Sequence, residues 1–139
     1  LNMSTDKFKI LISGIIEKNT NRCSSAYIIL DNNNDLINKG SKIICDNKSK
    51  EYTECIALCR GLFIAKQNYI KNIVILIESN ILINKLTNKI KLNNELLQLK
   101  QKIDLLLKHF TNYKYELIDG NDNKNTYELA ENELLTFYL

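Results

Sequence analysis

Proline and tryptophan are absent from the 139 residues, glycine occurs four times, and histidine and methionine occur once each. No proline-rich linker divides the chain, and no shift in composition marks a second domain. No apolar run approaches the roughly 18 residues of a membrane span, and no basic segment precedes an apolar one as in a secretory signal. We therefore expect no membrane partner and an intracellular protein, its compartment undefined. Cys23, Cys45, Cys55 and Cys59 form no CxxC pair and have only His109 for company, which argues against a zinc site. Without an export signal they read as reduced, partly buried thiols. The charge excess is small as well: a net +3 permits a local basic face without demanding one.

Apolar residues at 45% and charged residues at 25% are ordinary for a globular protein, and the length suits one domain. We expect that domain over residues 7–139, compatible with one domain of a larger protein, after a disordered or vector-derived start at 1–6. Asn, Lys and Ile dominate, a bias that base composition of the coding genome would produce.

The most informative stretch is Asn72 to Leu86, NIVILIESNILINKL. Ile73 to Ile77 is an unbroken, mostly β-branched run, as in a strand covered on both faces. Glu78 and Ser79 follow, Ser79 as a helix cap, and Ile81, Leu82, Ile83 and Leu86 resume at helical spacing. An acidic residue at the C-terminal edge of such a strand lies where ligands collect in open α/β sheets.

Before it, Phe8–Ile16, Ala26–Leu30 and Leu36–Cys45 read as strands of an antiparallel meander, with Asn19–Ser25 as a polar turn and Gly40 as a bulge. A helix over Tyr52–Asn68 carries Glu54, Ala57, Leu58, Gly61, Leu62 and Ala65 on one stripe. After the central strand come helices at Asn80–Leu86 and Asn93–Phe110, a strand at Tyr113–Ile118, a flexible loop at Asp119–Lys124 and a helix at Asn125–Leu135. The order is βββ-α-β-α-α-β-α, an α/β fold with a mixed five-stranded sheet flanked by helices.

This order and these residues resemble the ribonuclease H-like fold, nearest to its reverse-transcriptase-like, type 1 branch. Ser13-Gly14 stands where that family has Asp-Gly on the first strand. Thr53 to Leu62, TECIALCRGL, is similar to the family's Ala-Glu-x-x-Ala-Leu-x-x-Gly-Leu, and Glu78-Ser79 to its Asp-Ser. Asn123 to Ala130, NKNTYELA, resembles Asn-x-x-Ala-Asp-x-Leu-Ala. The resemblance covers nearly the whole chain.

What it implies is two-metal hydrolysis of RNA in RNA–DNA hybrids, with four carboxylates holding two magnesium or manganese ions about 3.5–4 Å apart. The corresponding residues here are Ser13, Glu54, Glu78 and Tyr127, of which two are acidic. Ser13 is the gravest departure, Tyr127 replaces a carboxylate with a phenol, and Glu78 adds a methylene to the expected Asp. Glu131, one helical turn beyond Tyr127, is the acid best placed to compensate.

The reading that follows is a catalytically degenerate domain that acts as a nucleic-acid-binding or structural module, with no cofactor. Glu54 and Glu78 then remain as hydrogen-bonded relics, bonded to Ser13 or to the Tyr127 hydroxyl, or as a weak site for one ion. The alternative is an active metal-dependent ribonuclease H. The partner would be RNA, an RNA–DNA hybrid, or a protein of a larger assembly. Lys85, Lys89 and Lys91, with Lys100 and Lys102, are the candidate phosphate contacts, and Tyr113, Tyr115, Phe137 and Tyr138 the candidate protein anchors.

Overall fold

A computed structural model describes residues 6–44 and 46–139. The expectations for the start of the chain and for Cys45 as a strand end fall on residues 1–5 and 45, outside the described residues.

Strands β1 (Lys7–Ile16), β2 (Cys23–Leu30) and β3 (Leu36–Ile44) form the antiparallel meander. β4 (Asn72–Ile77) lies parallel to β1, and β5 (Asn112–Leu117) parallel to β4, giving the order β3-β2-β1-β4-β5. Helices α1 (Lys50–Gln67), α2 (Asn80–Leu86), α3 (Asn94–Leu107) and α4 (Lys124–Thr136) complete the expected α/β fold.

The helices begin where side chains supply the missing acceptors. Ser49, Ser79 and Asn93 each accept the backbone N–H three residues on, at 3.1, 3.1 and 3.0 Å. On α1 the predicted stripe is the buried one, with Leu58 and Leu62 fully buried against the sheet. Burial of such a side chain stabilises by about 1.5–3 kcal/mol. A Cβ on Gly61 would stand 3.2 Å from Ile10 Cγ2, so the helix lies close on β1.

Three local expectations need correction. Cys23, Ser24 and Ser25 belong to β2, paired with Ile16, Ile15 and Gly14, and the turn is confined to Glu17–Arg22. The Ser24 hydroxyl donates to the Ala130 carbonyl at 2.7 Å, so polar residues are buried there under α4. Gly40 is no bulge: the register shift lies at Ile29/Leu30, and Gly40 faces Tyr27, whose Cε1 would stand 2.7 Å from an added Cβ. The segment after β5 is an ordered 3-10 turn, Gly120–Asn123, capped by the Asp119 carboxylate.

Candidate functional site

Strand alternation sorts the site residues by face. Gly14 lies under α1: an added Cβ would overlap Thr53 Oγ1 and stand 3.0 Å from the Glu54 backbone nitrogen. Ser13, next along the strand, has the opposite orientation. It pairs with Ala26, on the side from which Ser24 reaches α4, and it is buried. The parallel pairing of β1 and β4 ends at Leu11 opposite Leu76, and two further residues in that register set Glu78 beside Ser13. Glu54 thus enters from the first turns of α1 and Glu78 from the end of β4.

Glu54 lies within the field of Glu78. Burial raises the Glu54 carboxyl from 4.5 to about 7; Lys50 opposes the rise, while Glu78 and Glu51 add to it. Near neutral pH Glu54 is therefore partly protonated. Glu78 has a different partner: its Oε2 accepts from the Asn123 side-chain amide at 2.8 Å, and the same amide donates to the Ile12 carbonyl at 2.7 Å.

Asn123 is fully buried. It occupies the N-cap position of α4, yet it makes no side-chain cap hydrogen bond, because its amide is turned into the site. Its Oδ1 is buried with no hydrogen-bond partner among the described residues. Sequence reasoning misses this residue, since it reads as part of a flexible polar loop. The signal that could find it is its place at the Asn of the terminal motif.

Tyr127 is brought in no further than the surface of α4, 45% exposed, because Thr126, Ala130 and Leu134 form the buried side of that helix. Among the described residues neither its hydroxyl nor that of Ser13 hydrogen-bonds either carboxylate, so the expected relic arrangement is replaced by the Asn123 bridge. Glu131 is exposed.

Two hard cations need several ionised oxygen donors converging. The present set offers a neutral serine, a partly protonated glutamate, an amide-bound glutamate and an exposed phenol. Among the described residues no group of three or more His, Cys, Asp and Glu is placed to hold a metal ion. These residues do not fit a metal pair, and among the described residues no complete metal-binding set for two-metal hydrolysis is assembled.

The lysines also separate. Lys85 pairs with Glu51 at 2.6 Å and Lys100 with Asp104 at 2.5 Å, which removes both from the predicted phosphate strip; Lys89, Lys91 and Lys102 are exposed. Phe137 and Tyr138 dock on their own chain. The Arg22 guanidinium lies 3.8 Å from the Phe137 ring centre, and the Tyr138 hydroxyl donates to Glu17 at 2.5 Å. Cys23, Cys55 and Cys59 are free thiols. Burial pushes Cys55 far up and Cys59 to about 11, so neither is a nucleophile at neutral pH.

The family model described as reverse transcriptase-like matches residues 12–133. No curated protein sequence matches the chain. Among solved structures it is similar to the N-terminal ribonuclease H domain of a Mycobacterium tuberculosis protein, with a TM-score of 0.87 and 17% identity over 95% of this chain and 96% of that one. A ribonuclease H1 from the halophilic archaeon Halobacterium salinarum gives a TM-score of 0.86 and 17% identity, over 94% and 98%. A ribonuclease H1 solved in complex with an RNA/DNA hybrid gives 0.83 and 16%, over 95% and 99%. At such identities the structural likeness shows the fold, and the family rests on the matched span: the chain belongs to the reverse transcriptase-like family, on a ribonuclease H-like fold.

Proposed function

We propose that the chain is a non-cleaving ribonuclease H-like domain that works by binding, as a nucleic-acid-binding or structural module of a nucleoprotein assembly. The observation that carries this reading is the donor set: of the four positions expected to hold the metal pair only Glu54 and Glu78 are acids, and Tyr127 lies exposed on α4. Ser13 and Tyr127 supply no carboxylate for a second ion. What remains is a shaped edge of the sheet, backed by a rigid helix start and a 3-10 turn.

RNA or an RNA–DNA hybrid is the first partner to test. One similar ribonuclease H1, and a foamy viral protease-reverse transcriptase of which 21% matches this chain, were solved in complex with RNA/DNA hybrid. Lys89 and Lys91 stand exposed after α2 and supply the charge for backbone contacts that carry no sequence information.

Fluorescence anisotropy with labelled hybrid and RNA, run beside a cleavage assay in magnesium and manganese and calorimetry of both ions, tests the reading. Saturable nucleic-acid binding without cleavage or ion uptake is the expected result. Cleavage that disappears in Glu54→Gln would overturn it and establish a rebuilt nuclease site. Absence of nucleic-acid binding, with a protein that co-purifies, would move the partner to the protein side of the assembly.

A further inference from the structure

The C-terminal half of α1 and α3 enclose a groove of about 490 Å³ that has no part in the carboxylate site. Phe63 and Leu105 wall it and remain 48% and 60% exposed, while Ile64, Leu106 and the Tyr27 ring form its floor. Two cations stand in this apolar surround, Arg60 and Lys102, and no acid lines it. Neither cation enters an ion pair among the described residues.

Arg60 is the unusual member. Its guanidinium is held 5.5 Å from the centre of the Tyr27 ring, and its Nη1 is buried without a hydrogen-bond partner among the described residues. A buried donor left unbonded is costly, and a guanidinium fork matches a carboxylate in shape as well as charge. Lys102 stands close enough to Cys59 to oppose the rise that burial imposes on that thiol, which places the ammonium at the same mouth.

We propose that this groove binds an amphipathic organic anion, an extended apolar body ending in one carboxylate. The carboxylate sits on Arg60 with Lys102 beside it, and the apolar body covers Phe63, Leu105 and Leu106. The groove's volume suits a small molecule, within the roughly 300–1,000 Å³ of small-ligand sites. The charge pattern decides for an anion, since a neutral lipid would cover the Arg60 guanidinium with apolar groups and leave it without a counter-charge. The inference goes beyond the binding role proposed above and does not rest on it.

Dodecanoate is the probe, titrated into ¹⁵N-labelled protein below its micellar concentration, with dodecanol as the uncharged control. One saturable site is expected, with shifts confined to Cys59–Ile64 and Lys102–Leu106 and dodecanol weaker by about tenfold or more. Arg60→Gln is expected to weaken dodecanoate by about tenfold, and Lys102→Gln, an exposed change that leaves the core untouched, by several-fold at about the strength of an exposed charge pair. Equal affinity for dodecanol, unsaturable binding, shifts spread over other surfaces, or affinity unchanged in Lys102→Gln would each overturn the site. Sedimentation showing a dimer that Leu105→Glu dissolves would overturn it too, by assigning the groove to a second copy.

Discussion

Asn123 bridges Glu78 to β1: its amide donates 2.8 Å to the Glu78 carboxylate and 2.7 Å to the Ile12 carbonyl. One neutral side chain thus ties the start of α4, the end of β4 and the strand that carries Ser13. The bridge joins the sheet edge to α4 and engages one oxygen of the exposed Glu78 carboxylate.

Removing it should be felt mainly in stability. Asn123→Ala leaves the Ile12 carbonyl without this donor and opens space in a fully buried position. We expect a loss of about 1–3 kcal/mol, read from the urea midpoint. An unchanged midpoint would mean that the bridge contributes nothing net.

Glu54 predicts the pH dependence. Its carboxyl rises from 4.5 to about 7 on folding, chiefly through burial. An acid raised in the folded state is neutral in both states below 4.5, so stability there is unaffected. Between 4.5 and about 7 the folded chain binds more protons than the unfolded one, so stability falls as pH rises through that window. The loss is on the order of 3 kcal/mol once Glu54 is fully ionised. Glu54→Gln should flatten the slope of unfolding free energy against pH between those limits; a slope identical to that of the parent would refute the assignment.

Much of the fold is legible in the sequence because its signals are local. The unbroken run Ile73–Ile77 and the α1 stripe from Glu54 to Ala65 declare themselves by local pattern alone, and both are buried as expected except for the half-buried Leu76. What is not legible depends on partners distant in sequence. Ser24 and Ser25 look like a turn until α4 covers β2 and takes the Ser24 hydroxyl. Lys85 looks like a free cation until Glu51, on another helix, pairs with it. Asn123 looks like part of a flexible polar loop, whereas its actual partners lie on β1 and at the end of β4. The motifs locate the four site positions, but the chemistry at two of them follows from burial and exposure that no spacing reveals.

Gly14 and Thr53 give a steric prediction. A methyl at Gly14 would overlap Thr53 Oγ1 and stand 2.9 Å from Thr53 Cβ, both on a rigid helix start. Gly14→Ala should therefore cost about 1–3 kcal/mol or more by overpacking. Gly120→Ala provides the contrast. The nearest atom to its added methyl is Glu78 Oε1 at 3.1 Å, the end of a flexible side chain, and the change should fall within about 0.5 kcal/mol. Thermal or urea unfolding of the two variants separates them, and comparable losses would contradict the close approach of α1 to β1.

The lysines after β4 supply the last test, and they divide by what already holds them. Lys85 is half-buried against Glu51, so Lys85→Gln should lower stability slightly and leave hybrid affinity nearly unchanged. Lys89 and Lys91 are exposed, and each phosphate deprived of its lysine should reduce the salt dependence of binding by about one unit of slope. Anisotropy titrations of Lys89→Gln and Lys91→Gln at several salt concentrations measure that slope directly. A slope unmoved in both, beside a marked drop in affinity in Lys85→Gln, would place the nucleic acid on the α1–α2 side, where Glu51 must first release its lysine.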